Sequence, residues 1–128
     1  DRIDLHIEVP SVHYQDLASA ATGEPSAAIR ARVQAARTVQ QERFRGLRKV
    51  RCNAAMRARD LPKYCALKAD AQAQLKMALT ELHFSARAYD RILKVARTIA
   101  DLAGSAEIRT EHVAEAIQYR NLDRQFWI

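Results

Sequence analysis

The sequence predicts a mainly α-helical bundle preceded by one orphan β-strand. Hydrophobic residues make up 48% of the chain, but much of that is alanine and only 6% of the chain is aromatic. Gly and Pro, three of each, are too few to build the turns of a sandwich or barrel. Beyond position 25 apolar residues recur at helical spacing, whereas the first ten positions alternate. At 128 residues the chain is one domain's worth, enough to bury roughly two-thirds of its unfolded surface.

Ile3, Leu5, Ile7 and Val9 alternate with Asp4, His6 and Glu8 and stop at Pro10, the mark of a half-buried strand. No second strand pattern follows. A lone strand cannot satisfy its own backbone groups, so this segment is expected to be disordered in isolation or to pair as an exposed edge. From His13 to Glu24 the residues are polar and small, with Gly23 and Pro25 as breakers, which reads as a linker. The helical part starts near Pro25 and Ser26. Ile29, Val33, Ala36, Gln40 and Phe44 mark one face of a helix that ends at Gly46.

Between Leu47 and Leu67 the periodicity breaks, with short turns expected after Asn53 and after Asp60, where Pro62 suits a first helical turn. A helix then spans about 66–82, with Ala71, Leu75, Ala78, Leu79 and Leu82 inward. Ser85 opens the most strongly patterned helix, continuing to Leu102 with Gly104 as C-cap. Its predicted inner face is Tyr89, Ile92, Ala96, Ile99 and Ala103, with the pairs Asp90–Lys94 and Arg97–Asp101 outside. Thr110 is expected to cap a last helix carrying Val113, Ala114, Ile117 and Tyr119.

The formal charge is +6, carried mainly by arginine, which suits phosphate or nucleic-acid partners as well as a soluble basic domain. Arg30, Gln34, Arg37, Gln41, Arg45 and Arg48 form a guanidinium and amide stripe at three-to-four spacing. A solvated face and a polyanion surface both give that pattern. Arg87 sits in the first turn of the Ser85 helix. A positive charge there opposes the helix dipole by roughly 0.3–1 kcal/mol. A shared anion at the helix N-terminus would explain it; an Arg turned to solvent is the plainer reading.

No nucleotide-binding glycine loop, nucleophile elbow or catalytic set is present. His6, His13, His83 and His112 are scattered, without metal-ligand spacing to Cys52 or Cys65. The cysteines read as small packing residues in a reducing, cytoplasmic setting, with no signal peptide or membrane-length apolar run. This chain by itself is expected not to be an enzyme. It begins at Asp1 within a strand pattern, as a piece of a longer protein would.

Asp1-Arg2-Ile3-Asp4-Leu5-His6, Gln40-Gln41-Glu42-Arg43-Phe44, Asn53-Ala54-Ala55-Met56, Ser85 to Leu102 and Glu115-Ala116-Ile117-Gln118-Tyr119-Arg120 together resemble one family. It is the C-terminal region of the magnesium chelatase-like AAA+ ATPases, in the competence ComM (YifB) branch. The resemblance implies that residues 1–24 are the last strand of the AAA+ core plus a linker, and 25–128 a helical lid. It implies a parent that binds ATP and magnesium through Walker motifs upstream of Asp1. Arg87 would match the sensor-2 arginine that reaches the γ-phosphate, with Ser85 beside it, and Arg2 an arginine finger toward the neighbouring subunit. The partners implied are the chain's own core, neighbouring subunits of a homo-hexameric ring, and DNA met through Arg30, Arg37, Arg45 and Arg48, with no membrane. Three readings remain open: the lid of a DNA motor or of a metal-chelatase ATPase, a basic helical DNA-binding module with half a histone fold, and a structural assembly domain.

Overall fold

Alanine-rich segments with apolar residues at helical spacing do form helices in the computed structural model, which describes residues 3–18 and 23–120. The helices are α1 (Tyr14–Ala18), α2 (Ser26–Arg43), α3 (Leu61–Tyr64), α4 (Ala69–Glu81), α5 (Ala86–Leu102) and α6 (Thr110–Gln118). Two 3-10 turns, Asn53–Ala55 and Ala58–Asp60, fill the stretch where the periodicity breaks. The fold is mainly α, a bundle centred on α5, which packs against α2, α3, α6 and the Asn53 turn.

Ile92, Ala96 and Ala100 of α5 are fully buried and meet Leu75 of α4 and Val113 of α6 in one apolar cluster. Each large side chain buried there contributes roughly 1.5–3 kcal/mol. Ile92→Ala would therefore cost about 2–5 kcal/mol. Small alanines between the large residues let the helices approach closely. An isolated parallel bridge between Leu67 and Ile108 ties the residues before α4 to those before α6.

Five expectations need correction. Residues 3–10 are extended but form no strand ladder among the described residues. They are held instead at one end: the His6 N–H donates to the Tyr119 carbonyl at 2.8 Å, and Arg120 Nη1 donates to the Ile3 carbonyl at 2.8 Å. Arg91 of α5 pairs with Asp4. Pairing to helix ends replaces the sheet hydrogen bonds for this short arm, while Ile3, Leu5, Ile7 and Val9 stay exposed. The linker reading of 13–24 is interrupted by α1, a single helical turn whose side chains are all exposed.

The third correction concerns α5. Its buried residues are Ala88, Ile92, Leu93, Ala96, Arg97, Ala100 and Asp101. Tyr89 is 39% exposed and Ala103 is exposed. The inner face is thus rotated by roughly 50° from the predicted one, at 100° per residue. Arg97 and Asp101, expected as an outer ion pair, lie inside. In α2 the predicted face holds only in its second half: Ala36, Gln40 and Phe44 are buried, whereas Ile29 and Val33 are exposed. At α6, Arg109 rather than Thr110 is the N-cap, and His112 Nδ1 accepts from the Arg109 N–H at 2.9 Å.

Candidate phosphate and nucleic-acid interfaces

Ser85 has extended backbone and its Oγ accepts the Ala88 N–H at 3.2 Å, so it caps α5 as its sequence position predicts. Arg87, the second residue of the helix, is exposed at this capped, dipole-positive end. The chain reaches Ser85 through His83, a residue with left-handed backbone at φ 54°. Because α5 is the most deeply anchored helix, its first turn is a rigid mount for whatever Arg87 meets. Among the described residues no group of three or more His, Cys, Asp or Glu could hold a metal. Arg2, the other candidate, lies outside the described residues.

What fixes α5 against α2 is a buried polar cluster. Arg43 Nη1 and Nη2 donate to the two carboxylate oxygens of Asp101 at 2.8 and 2.5 Å. Asn53 Nδ2 donates to Asp101 at 2.9 Å and to Thr98 Oγ1 at 3.1 Å. Asn53 Oδ1 accepts from Arg43 at 3.0 Å, and its backbone N–H donates to Gln40 Oε1 at 3.0 Å. Arg97 completes the set, 3.3 Å from Asp101, with its terminal nitrogens also donating to the Ser105 and Ala106 carbonyls. Burial pushes the Arg97 guanidinium below its ordinary value, against the pull of Asp101. A buried carboxylate survives here because two cations and an amide surround it.

Spacing marked Asp101 only as an outer partner of Arg97, and it marked neither Arg43 nor the side chain of Asn53. The signal lay in an arginine and an asparagine placed where α2 and its following turn face α5. The same holds for Asp4, Arg91 and Arg120, whose contacts join segments 87 and 117 positions apart.

Arg30, Gln34, Arg37 and Gln41 are all exposed on α2. Arg45, 3.5 Å from Glu42, and Arg48 follow the helix end and are exposed too. Gly46, with φ 89°, reverses the chain there, a conformation that a β-carbon would strain. The reversal brings Arg51 beside Arg37 and Arg45 in one open cleft, together with Gln41, Leu47 and Cys52. Arg30 and Arg48 do not line it. The structure does not bring the stripe to Arg87: α2 grips α5 at Asp101, fourteen residues or about 20 Å along the helix from Arg87.

No helix among the described residues is long and apolar enough to cross a membrane. The family model for the magnesium chelatase subunit ChlI C-terminal domain matches residues 23–120. The YifB protein of Salmonella typhimurium and the competence protein ComM of Haemophilus influenzae are each 41% identical over 97% of this chain. The YifB protein of Escherichia coli is 38% identical over the same share. The chain spans about a quarter of the length of these relatives, 24% in each case. The fold, the matched residues and these identities agree: the chain belongs to the magnesium chelatase ChlI C-terminal family, in its ComM/YifB branch.

Proposed function

We propose that this chain is the helical lid of an ATP-driven motor acting on DNA, of the branch-migration and recombination type. The observation that carries the reading is Arg87, an exposed cation in the first turn of the best-anchored helix, on a Ser85 cap. In this account residues 1–24 complete an α/β nucleotide-binding core and 25–128 form the lid. The upstream core holds ATP and magnesium, which supply the phosphoryl transfer.

The chain's own part is to place the Arg87 guanidinium against the γ-phosphate as charge develops there. A single such donor is worth roughly 10²–10³ in rate. Arg2 would act as a finger on the ATP of the neighbouring subunit in a hexameric ring. DNA would run along Arg30, Arg37, Arg45 and Arg48, its phosphates countered by exposed guanidinium groups. The competence name of the Haemophilus relative favours DNA as the partner. The chelatase name of the family favours the alternative, the lid of a metal-inserting ATPase.

The test is ATP turnover by the full-length protein with and without duplex or branched DNA. Stimulation by DNA supports the motor. Turnover that is indifferent to DNA favours the chelatase-type lid. Tight, salt-steep DNA binding by this chain, beside a full-length protein with no turnover, would favour a basic binding module.

A further inference from the structure

Between positions 37 and 51 the chain carries Arg37, Arg43, Arg45, Arg48, Lys49 and Arg51 against the single carboxylate of Glu42. Arg43 is neutralised in the interior by Asp101, and Arg45 meets only the exposed Glu42. Arg37, Arg45 and Arg51 are gathered by the Gly46 reversal. Phe44 and Val50, both buried, pin the two sides of that reversal to the core, and Phe44 packs edge-on against Tyr64 at 5.1 Å. The cleft is therefore built on anchored backbone, not on a loose loop.

We infer that the Arg37–Arg45–Arg51 cleft is a seat for the phosphodiester backbone of a nucleic acid, with Gln41 a further donor. The inference deepens the DNA reading above, rests on it, and moves its centre. Arg51 enters the contact set, while Arg30 and Arg48, which do not line the cleft, become peripheral. The guanidinium groups of Arg37, Arg45 and Arg51 offset the negative end of the α2 dipole, whose effect falls off within the last turn. The Phe44, Arg45 and Leu47 N–H groups donate to the carbonyls of Gln40, Glu42 and Phe44. Arg45 is held only by an exposed contact to Glu42; such pairs contribute little and exchange readily for a phosphate. Three guanidinium groups gathered on anchored backbone put more positive charge in one place than Arg30 or Arg48 does alone, which favours this cleft.

The cleft carries its own reporter. Cys52 lines it and is partly exposed, and the other cysteine, Cys65, is buried with its thiol pushed up to about 11. Iodoacetamide should therefore modify Cys52 alone near neutral pH. The experiment follows that reaction in this 128-residue chain, with a DNA duplex at concentrations that saturate binding by fluorescence anisotropy. At about 20 mM salt the duplex should slow Cys52 modification at least fivefold, and about 500 mM salt should restore it. Arg51→Ala should weaken duplex binding severalfold and lower the salt slope by about 1, as for a lost phosphate contact. Arg30→Ala should change binding less than Arg51→Ala.

Cys52 reacting at its free rate under saturating duplex would overturn the inference and leave the DNA reading standing. No duplex binding at low salt would overturn both. Protection by ATP or inorganic triphosphate but not by duplex would assign the cleft to a small phosphate and also overturn it.

Discussion

Arg43 and Asp101, 58 positions apart, join α2 to α5 through two parallel hydrogen bonds of 2.8 and 2.5 Å. Arg43 is the last residue of α2 and Asp101 lies in the last turn of α5, where the carboxylate is fully buried. The pair ties α2 to the end of α5 away from Arg87. Gln40, Asn53, Thr98 and Arg97 close the cluster around it.

Removing only the charge of Asp101 should be severe. Asp101→Asn leaves two guanidinium groups facing each other in a buried site. The expected cost is about 3–5 kcal/mol, much of the roughly 5–15 kcal/mol that holds a domain folded. Urea denaturation followed by helical circular dichroism checks it. Glu42→Gln, at an exposed carboxylate, should change stability by less than about 0.5 kcal/mol.

The thiol of Cys65 makes stability depend on alkaline pH. Burial raises it from 9.0 to about 11, so the folded chain holds this proton more tightly than the unfolded chain does. Its contribution is complete below pH 9 and is lost as pH rises toward 11. The loss should be on the order of 1–3 kcal/mol. Cys65→Ala should be less stable at neutral pH through lost packing, yet flatter between those limits. Denaturant titrations at a series of pH values separate the two effects.

His83 tests local backbone strain. Its φ of 54° is a conformation that glycine adopts freely and histidine only at a cost. His83→Gly should raise stability by about 0.5–1 kcal/mol. An unchanged or lower midpoint in urea would mean that the imidazole itself stabilises the turn.

Most of the helical fold was legible because alanine content and three-to-four spacing report helices directly. Ile92 and Ala96 were placed inward correctly, and Ser85 was placed as the cap of α5. The orientation of Arg97 and Asp101 was not legible. Two opposite charges four apart usually face water, and only the distant Arg43 and Asn53 make the interior tolerable for them. The first ten residues alternate as a strand does, but alternation does not reveal the partner of a backbone group, and here the partners are Tyr119 and Arg120. Of the candidate sites, the stripe on α2 was legible as charge, whereas the cleft depends on the Gly46 reversal bringing Arg51 back beside it.

The docked arm gives a fourth prediction. The amide of His6, bonded to the Tyr119 carbonyl at 2.8 Å, should exchange with solvent deuterium more slowly than the amides of its neighbours. Arg91→Ala should speed that exchange while changing global stability by no more than about 1 kcal/mol, since the Asp4 pair is exposed. Equal exchange along the whole arm would contradict the docking.

The most direct test of the account is ATP turnover by the full-length protein carrying Arg87→Ala, with DNA present. A loss of about 10²-fold or more in turnover, with the protein folded and assembled, is the predicted result. Turnover within about twofold of the parent protein would contradict a γ-phosphate contact, and would leave Arg87 a surface arginine of a basic helical domain.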